Sequence, residues 1–240
     1  MGTDSVADAQ RKPVQVMTTR PHEGQKLLVI GGGGHARVVT EAARAQGWRV
    51  LGFFDDDRAS AIDAETPRLG EVASASAADT DGFALDGDPS CAIVAMGSIE
   101  LRSRLISELR GLYGSVIHPS AVIAPSAQIG EGVFVSAGAI VQSRAKIEAH
   151  AIINTGAIVE HDCVIHTNVH IAPGAVLGGA VTVGRDTLVG LGARIKPGIR
   201  IGLGCTIGAG AVVVSNIPDH ATVMGVPAKP AEWWGASDGS

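Results

Sequence analysis

The stretch Ile117-His118-Pro119-Ser120-Ala121-Val122-Ile123-Ala124-Pro125-Ser126-Ala127-Gln128-Ile129-Gly130 decides the fold. Branched aliphatics stand at 117, 123 and 129. The step of six continues without insertion through Val135, Val141, Ile147, Ile153, Val159, Ile165, Ile171, Leu177, Val183, Val189, Ile195, Ile201, Ile207 and Val213. Four residues after most of them comes a small residue: Ala121, Ala127, Ala139, Ala145, Ala151, Ala157, Cys163, Ala175, Ala193, Cys205 or Ala211. A helix of 3.6 residues per turn cannot hold a six-residue stripe on one face for so long, and a plain strand would repeat every two. A short strand, a turn and another short strand account for the pattern. The aliphatic points into a triangular prism, and the small residue fills its corner. Three hexads close a coil of 18 residues, so the run makes just under six coils, a stack about 27 Å tall at strand spacings near 4.8 Å. Glycine often follows the aliphatic directly, as at Gly130, Gly178, Gly184, Gly190, Gly202 and Gly208. Those glycines are expected to ease corners where φ turns positive.

Composition agrees with a narrow, regular interior. The 240 residues include 32 Gly but only 4 Phe, 3 Trp and 1 Tyr, so few rings are available to fill an irregular core. A net charge of −5 without a basic stripe argues against nucleic acid as a partner. Apolar runs fall short of a membrane span. Residues 1–25 hold Arg11, Lys12, Pro13, Arg20 and Pro21 without an apolar core, which reads as a flexible lead-in rather than a secretory signal. Cys91, Cys163 and Cys205 form neither a CxxC nor an even set. The last two occupy small-residue positions of the repeat, and a reducing cytoplasm fits best.

Ahead of the repeats, residues 26–114 follow other rules. Lys26–Ile30 reads as a buried strand, Gly31-Gly32-Gly33-Gly34 as a turn, and the segment from Arg37 to Gln46 as a helix ending at Gly47. Val50–Phe54 is a second strand, closing on Asp55-Asp56-Asp57. Cys91–Met96 is a later one, followed at Gly97 by a helix with Glu100, Arg102 and Arg104. This is the outline of a nucleotide-binding βαβ unit. Its strand ends at 30, 54 and 96 should share one rim. The motif Gly31-x-Gly33-x-x-Ala36 also admits an NAD-binding dehydrogenase, but about 90 residues are too few for the full six-stranded dinucleotide fold. The expected architecture is mixed: a lead-in (1–25), a small α/β Rossmann-like domain (26–114), a parallel β-helix (115–230) and a tail (231–240).

The hexads resemble those of the left-handed β-helix acyltransferases. Left-handed winding is what that resemblance implies, since parallel crossovers generally turn the other way. Joined to the front domain, the chain resembles a narrower family, the bacterial nucleotide-amino-sugar N-acetyltransferases and the related sialic acid O-acetyltransferases. The resemblance rests on Gly33-Gly34-His35, Asp55-Asp56, Ala95-Met96-Gly97, Ile117-His118-Pro119-Ser120-Ala121, Asn154-Thr155, Glu160-His161-Asp162-Cys163 and Gly225-Val226-Pro227-Ala228-Lys229. It implies acetyl-CoA as co-substrate, a nucleotide-linked 4-amino-4,6-dideoxy-sugar as acceptor, and a homotrimer with the CoA arm held between neighbouring prisms.

Transfer of an acetyl group to an amine needs a base. His161 lies two residues past inward Val159, at a corner facing solvent, and Asp162 can orient its ring. The family carries the same two roles, though many relatives have Glu where this chain has the shorter Asp162. By resemblance, His170, Gly190 and Leu191 contact acetyl-CoA. Gly33, Gly34, His35 and Gly97 hold the nucleotide sugar, and Asp55 and Asp56 read its base. UDP, dTDP and GDP all remain open. A zinc site is the competing reading of His161 and His166, five apart. Position 133, where a third histidine would fall, is Val133, so no metal is expected. The rival activities are sugar O-acetylation with the same machinery and a non-catalytic, nucleotide-sugar-binding scaffold.

Overall fold

In a computed structural model, which describes residues 23–75, 83–85, 88–109 and 111–231, residues 18 apart in the repeat region lie one above another. Two-residue strands recur every six residues from Val116–Ile117 to Val212–Val213. Each pairs in parallel with strands 18 residues before and after it, as Ile158↔Ile140 and Ile158↔Val176 show. Three flat faces result. The first contains Phe134, Ile152 and His170, the second Ile140, Ile158 and Val176, and the third Lys146, Val164 and Thr182. The inward stripe forms one continuous core: Ile117, Ile129, Val135 and the succeeding aliphatics to Val213 are buried, with the small corner residues filling the spaces between them. Burying this column is the main driving force of the prism.

The corner glycines work differently from the sequence expectation. From Ile129 to Ile207, positive φ falls on the third residue after each inward aliphatic, not the first. Gly138, Gly156 and Gly174 occupy that position, as do the non-glycines Arg144, His150, Asp162, Asn168, Ala180, Asp186 and His220. The glycine directly after the aliphatic serves another need. A Cβ at Gly190 would stand 2.5 Å from the Ile207 carbonyl oxygen, and one at Gly184 2.5 Å from the Gly202 carbonyl carbon. Those glycines let one coil settle onto the next.

The front domain is a five-stranded sheet in the order β3-β2-β1-β5-β4, from β1 (Lys26–Ile30), β2 (Arg49–Phe54), β3 (Arg68–Gly70), β4 (Phe83–Leu85) and β5 (Asp88–Val94). All pairings are parallel except β4 with β5. Helix α1 spans Gly34–Gln46 and ends on Gly47 at φ +96, which closes its last turn. Helix α2 is Val72–Ala75 and α3 is Ile99–Glu108. Strand β5 stops at Val94, two residues short of the expected end.

The domain sits on the first face of the prism. Ala36, Val39 and Ala43 of α1 share a core with Val116, Phe134 and Ile152. A second tie comes from Arg102 on α3, whose side chain is 1% exposed. Its guanidinium donates to the Asn168 Oδ1 at 2.6 Å, the Asn168 carbonyl at 2.9 Å and the Met96 carbonyl at 3.0 Å. Asn168 returns a bond from Nδ2 to the Ile99 carbonyl at 3.1 Å. Among the described residues, no helix is long and apolar enough to cross a membrane. Most of the expected lead-in and tail, residues 1–22 and 232–240, lies outside the described residues.

Candidate active site

Residues 160–163 turn the chain from the second face to the third, and His161 sits at the outside of that corner. Its side chain is 59% exposed. Nδ1 lies 2.8 Å from Asp162 Oδ2. With Nδ1 donating to the carboxylate, Nε2 is the nitrogen left to accept a proton. The ring lies over Gly179 of the next coil, where a Cβ would come within 2.6 Å of Cε1 and Nε2. From the preceding coil Arg144 forks onto Asp162: Nε donates to Oδ1 at 2.7 Å and Nη2 to Oδ2 at 2.8 Å. That fork, with the His161 hydrogen bond second, holds the Asp162 carboxyl well below the usual carboxylate range. The sequence pairing of His161 with Asp162 is thus realised in space. Arg144 and Gly179 were missed, although each stands 18 residues, one coil, from the residue it serves.

The second group of expected residues assembles elsewhere. Strands β1, β2 and β5 end side by side, Ile30 opposite both Phe54 and Val94. The glycine turn, Asp55-Asp56 and Met96-Gly97 follow those ends along one rim. Asp55 Oδ2 accepts from the Gly32 N–H at 2.5 Å and its Oδ1 from the Asp57 N–H at 2.8 Å. Asp56 Oδ1 accepts from the Val72 N–H at the start of α2, at 2.9 Å. Both aspartates therefore have backbone duties in the turn besides any ligand. A Cβ at Gly33, Gly34 or Gly97 would meet nothing within 4 Å, so the rim is open above these three.

His35, in the first turn of α1, joins this rim to the prism. Its ring meets Phe134 edge-on at 5.4 Å and lies 6.4 Å from the ring of His170. Its Nε2 is buried with no hydrogen-bond partner. His170 Nε2 lies 3.0 Å from Asn154 Nδ2, so the amide donates and the imidazole is neutral with its proton on Nδ1. Burial, then the Arg102 charge, pushes His35 down to about 4. The same two causes, with His35 third, take His170 to about 3. An imidazole that weakly basic, with Nε2 already occupied, is a poor acceptor for an ammonium proton near neutral pH. His161 carries a carboxylate on Nδ1 with Nε2 outside that bond, the geometry that proton acceptance needs, and His166, on Glu148, shares it. Leu191 projects from the corner that also holds Asn154 and is 59% exposed, while the neighbouring Gly190 is fixed by the stacking described above.

One separation matters for the chemistry. Asn154 and His161 stand at opposite ends of the strand Ile158–Val159, at different corners of the prism. Within one chain His161 and Asn154, the partner of His170, therefore belong to different corners. The second face between those corners presents outward Val122 (61% exposed), the half-buried Ile140, Ile158, Val176 and Val212, and exposed Arg194. His166 does not join His161; its Nδ1 lies 3.1 Å from Glu148 Oε2 on the corner between the third and first faces. Among the described residues, no group of three or more His, Cys, Asp or Glu is placed to hold a metal ion.

Family profiles match three segments: the PglD N-terminal domain over residues 26–109, the GMPPB C-terminal domain over 112–190, and the hexapeptide repeat of succinyl-transferase over 180–215. No curated protein sequence matches. Among solved structures, the acetyltransferase domain of PglB from Neisseria gonorrhoeae FA1090 is 37% identical, with a TM-score of 0.78 over 86% of this chain and 100% of that one. The same domain has been solved with acetyl coenzyme A. PerB from Caulobacter crescentus, in complex with CoA and GDP-perosamine, is 39% identical, with a TM-score of 0.78 over 85% of this chain and 96% of that one. The perosamine N-acetyltransferase of that organism has also been solved with one histidine replaced by Asn or by Ala. WeeI from Acinetobacter baumannii AYE is 26% identical, with a TM-score of 0.71 over 86% of this chain and 99% of that one.

Proposed function

Because the chain belongs to the left-handed β-helix, hexapeptide-repeat family of nucleotide-amino-sugar acetyltransferases, we propose that it moves an acetyl group from acetyl-CoA to the 4-amino group of a nucleotide-linked 4-amino-4,6-dideoxy-sugar. The chain is an acyltransferase by that membership. The observation that carries the reaction type is the His161–Asp162 pair, with Nδ1 engaged at 2.8 Å and Nε2 left as the acceptor.

The amine attacks the thioester carbonyl carbon, forming the C–N bond. His161 Nε2 takes the amine proton as that bond forms. The C–S bond then breaks, and the departing CoA thiolate receives the proton from the imidazolium. Asp162 steadies the charged ring between those two transfers. Gly33, Gly34, His35 and Gly97 hold the sugar nucleotide along the open rim. Asp55 and Asp56 face its base, and His170, Gly190 and Leu191 receive the acetyl-CoA arm. Because rim and base occupy different corners, the working unit is a homotrimer in which the second faces meet and one chain's His161 serves the rim of its neighbour. Exposed Val122 and the half-buried Ile140, Ile158, Val176 and Val212 of that face support this reading. GDP-linked sugars come first among the three nucleotides, since PerB was solved with GDP-perosamine.

Steady-state kinetics with acetyl-CoA and UDP-, dTDP- and GDP-linked 4-amino sugars, each beside its 4-hydroxy counterpart, tests the proposal. Turnover of an amine form, lowered by about 10² or more in His161→Asn with the fold intact, is the expected result. Turnover of the hydroxy form alone would make the enzyme an O-acetyltransferase. Near-normal turnover in His161→Asn would overturn the assignment of the base.

A further inference from the structure

The guanidinium of Arg144 grips both oxygens of Asp162, the same carboxylate that receives His161 Nδ1. We infer that Arg144 is a positioning residue that acts on the base through Asp162, forming a three-membered chain Arg144–Asp162–His161 across two coils. The inference rests on His161 being the base.

The fold explains how the chain is built. Arg144 and Asp162 are 18 residues apart and occupy the same corner site in successive coils, both with positive φ, at +59° and +60°. That shared backbone geometry stacks one directly on the other. Arg144 is further fixed by its own N–H, which donates to Ser126 Oγ at 3.1 Å. Aspartate is one methylene shorter than glutamate and sits next to His161 in sequence, so it has little reach with which to find the ring unaided. A planar fork bound to both oxygens sets the carboxylate plane and so the direction of Oδ2 toward Nδ1. Oδ2 accepts from Arg144 Nη2 and from His161 together, so the cation also offsets part of the carboxylate's pull on an imidazolium. The charged groups at this corner are Arg144 from the preceding coil, Glu160 and Asp162 from its own, and Lys196 two coils on. The following coil presents uncharged Gly179 and Ala180.

Arg144 is 70% exposed in the single chain, so replacing it should leave the chain folded. The test is a double-mutant cycle of Arg144→Gln and Asp162→Asn, with Arg144→Lys as the conservative variant. Two quantities are read: the pH profile of kcat, and the titration of His161 by carbon-13 histidine NMR, its signal assigned by loss in His161→Asn. Arg144→Gln is expected to lower kcat about tenfold with little change in KM, and to move both the acid limb and the NMR titration to higher pH. In an Asp162→Asn background the same substitution should add little. Arg144→Lys should hold the titration near that of the wild type while regaining only part of kcat. An unchanged titration in Arg144→Gln would overturn the inference, and so would a shift that persists undiminished in the Asp162→Asn background. The NMR arm does not need turnover, so an enzyme inactive on every amino sugar would refute the proposed function and still decide this question.

Discussion

At the scale of single residues, the candidate site is governed by what each imidazole touches. His161 has a carboxylate on one nitrogen and a glycine beneath its ring. Gly179→Ala would place a methyl carbon within van der Waals overlap of Cε1 and Nε2 and lift the ring from Asp162. We expect kcat to fall by about tenfold or more with unchanged circular dichroism, since a base displaced by about an ångström loses its alignment with the amine. A kcat equal to that of the wild type would mean that the ring accommodates the methyl group. His150 shows the opposite treatment. It is buried at a positive-φ corner, edge-on to Tyr113 at 4.5 Å, and its Nδ1 has no partner. Burial, then the Arg102 charge, lowers it to about 4. With His35 and His170 likewise lowered, the folded chain resists protonation that the unfolded chain accepts below about 6.5. The unfolded state then binds more protons, so stability is full above pH 6.5 and falls as pH drops toward 4. Melting at fixed protein concentration should show this loss between pH 6.5 and 4.5. His150→Asn, a residue that tolerates positive φ, should reduce the slope by up to about 1.4 kcal/mol per pH unit. An unaltered slope would show that His150 is not held neutral.

At the scale of elements, the prism was legible in the sequence because every sixth residue faces the same constraint. An inward position in a narrow column accepts only a branched aliphatic, so the stripe from Ile117 to Val213 declares itself without a structure. The corners were only half legible. His161 and Asp162 are neighbours in sequence and could be paired by reading. Arg144 and Gly179 act from adjacent coils and become visible only when the 18-residue coil is used as a ruler in both directions. The glycines after the aliphatics were assigned the wrong strain because a repeat shows where glycine recurs, not whether its φ or its missing Cβ is the reason. No period connects residue 102 to residue 168, so the tie between α3 and the prism had no sequence signal at all. That tie carries an expectation of its own. Arg102→Met keeps much of the apolar volume but leaves the Asn168 and Met96 acceptors without their donor. Loss of one partner of a buried charged hydrogen-bond set destabilises by about 3 kcal/mol. The front domain should therefore melt earlier than the prism, and KM for the sugar nucleotide should rise while KM for acetyl-CoA stays level. A single cooperative transition with unshifted midpoint would mean that the α1 packing alone holds the domains together.

At the scale of the whole molecule, the proposed division of labour between corners leads to a test by mixing. His161 and Asn154, the partner of His170, stand at opposite ends of the second face, whose outward residues are mostly Val and Ile, with Arg194 among them. If each site combines one chain's base with a neighbour's rim, two inactive variants should rescue each other in mixed trimers. His161→Asn supplies an intact rim, and Gly33→Val, whose side chain would project into the open space above that rim, supplies an intact base. In trimers assembled at random from equal amounts, the base at a given interface is intact half the time and the rim facing it half the time. Co-expression and joint purification should then restore about one quarter of the wild-type rate, against almost none for either variant alone. The recovered activity should also track the fraction of mixed trimers as the expression ratio is varied, passing through a maximum at equal amounts. Sites contained within one chain would give no recovery at any ratio, because every chain would carry one defect. Light scattering on the same samples separates the remaining case: a monomer of full activity would refute the trimer and the shared site together.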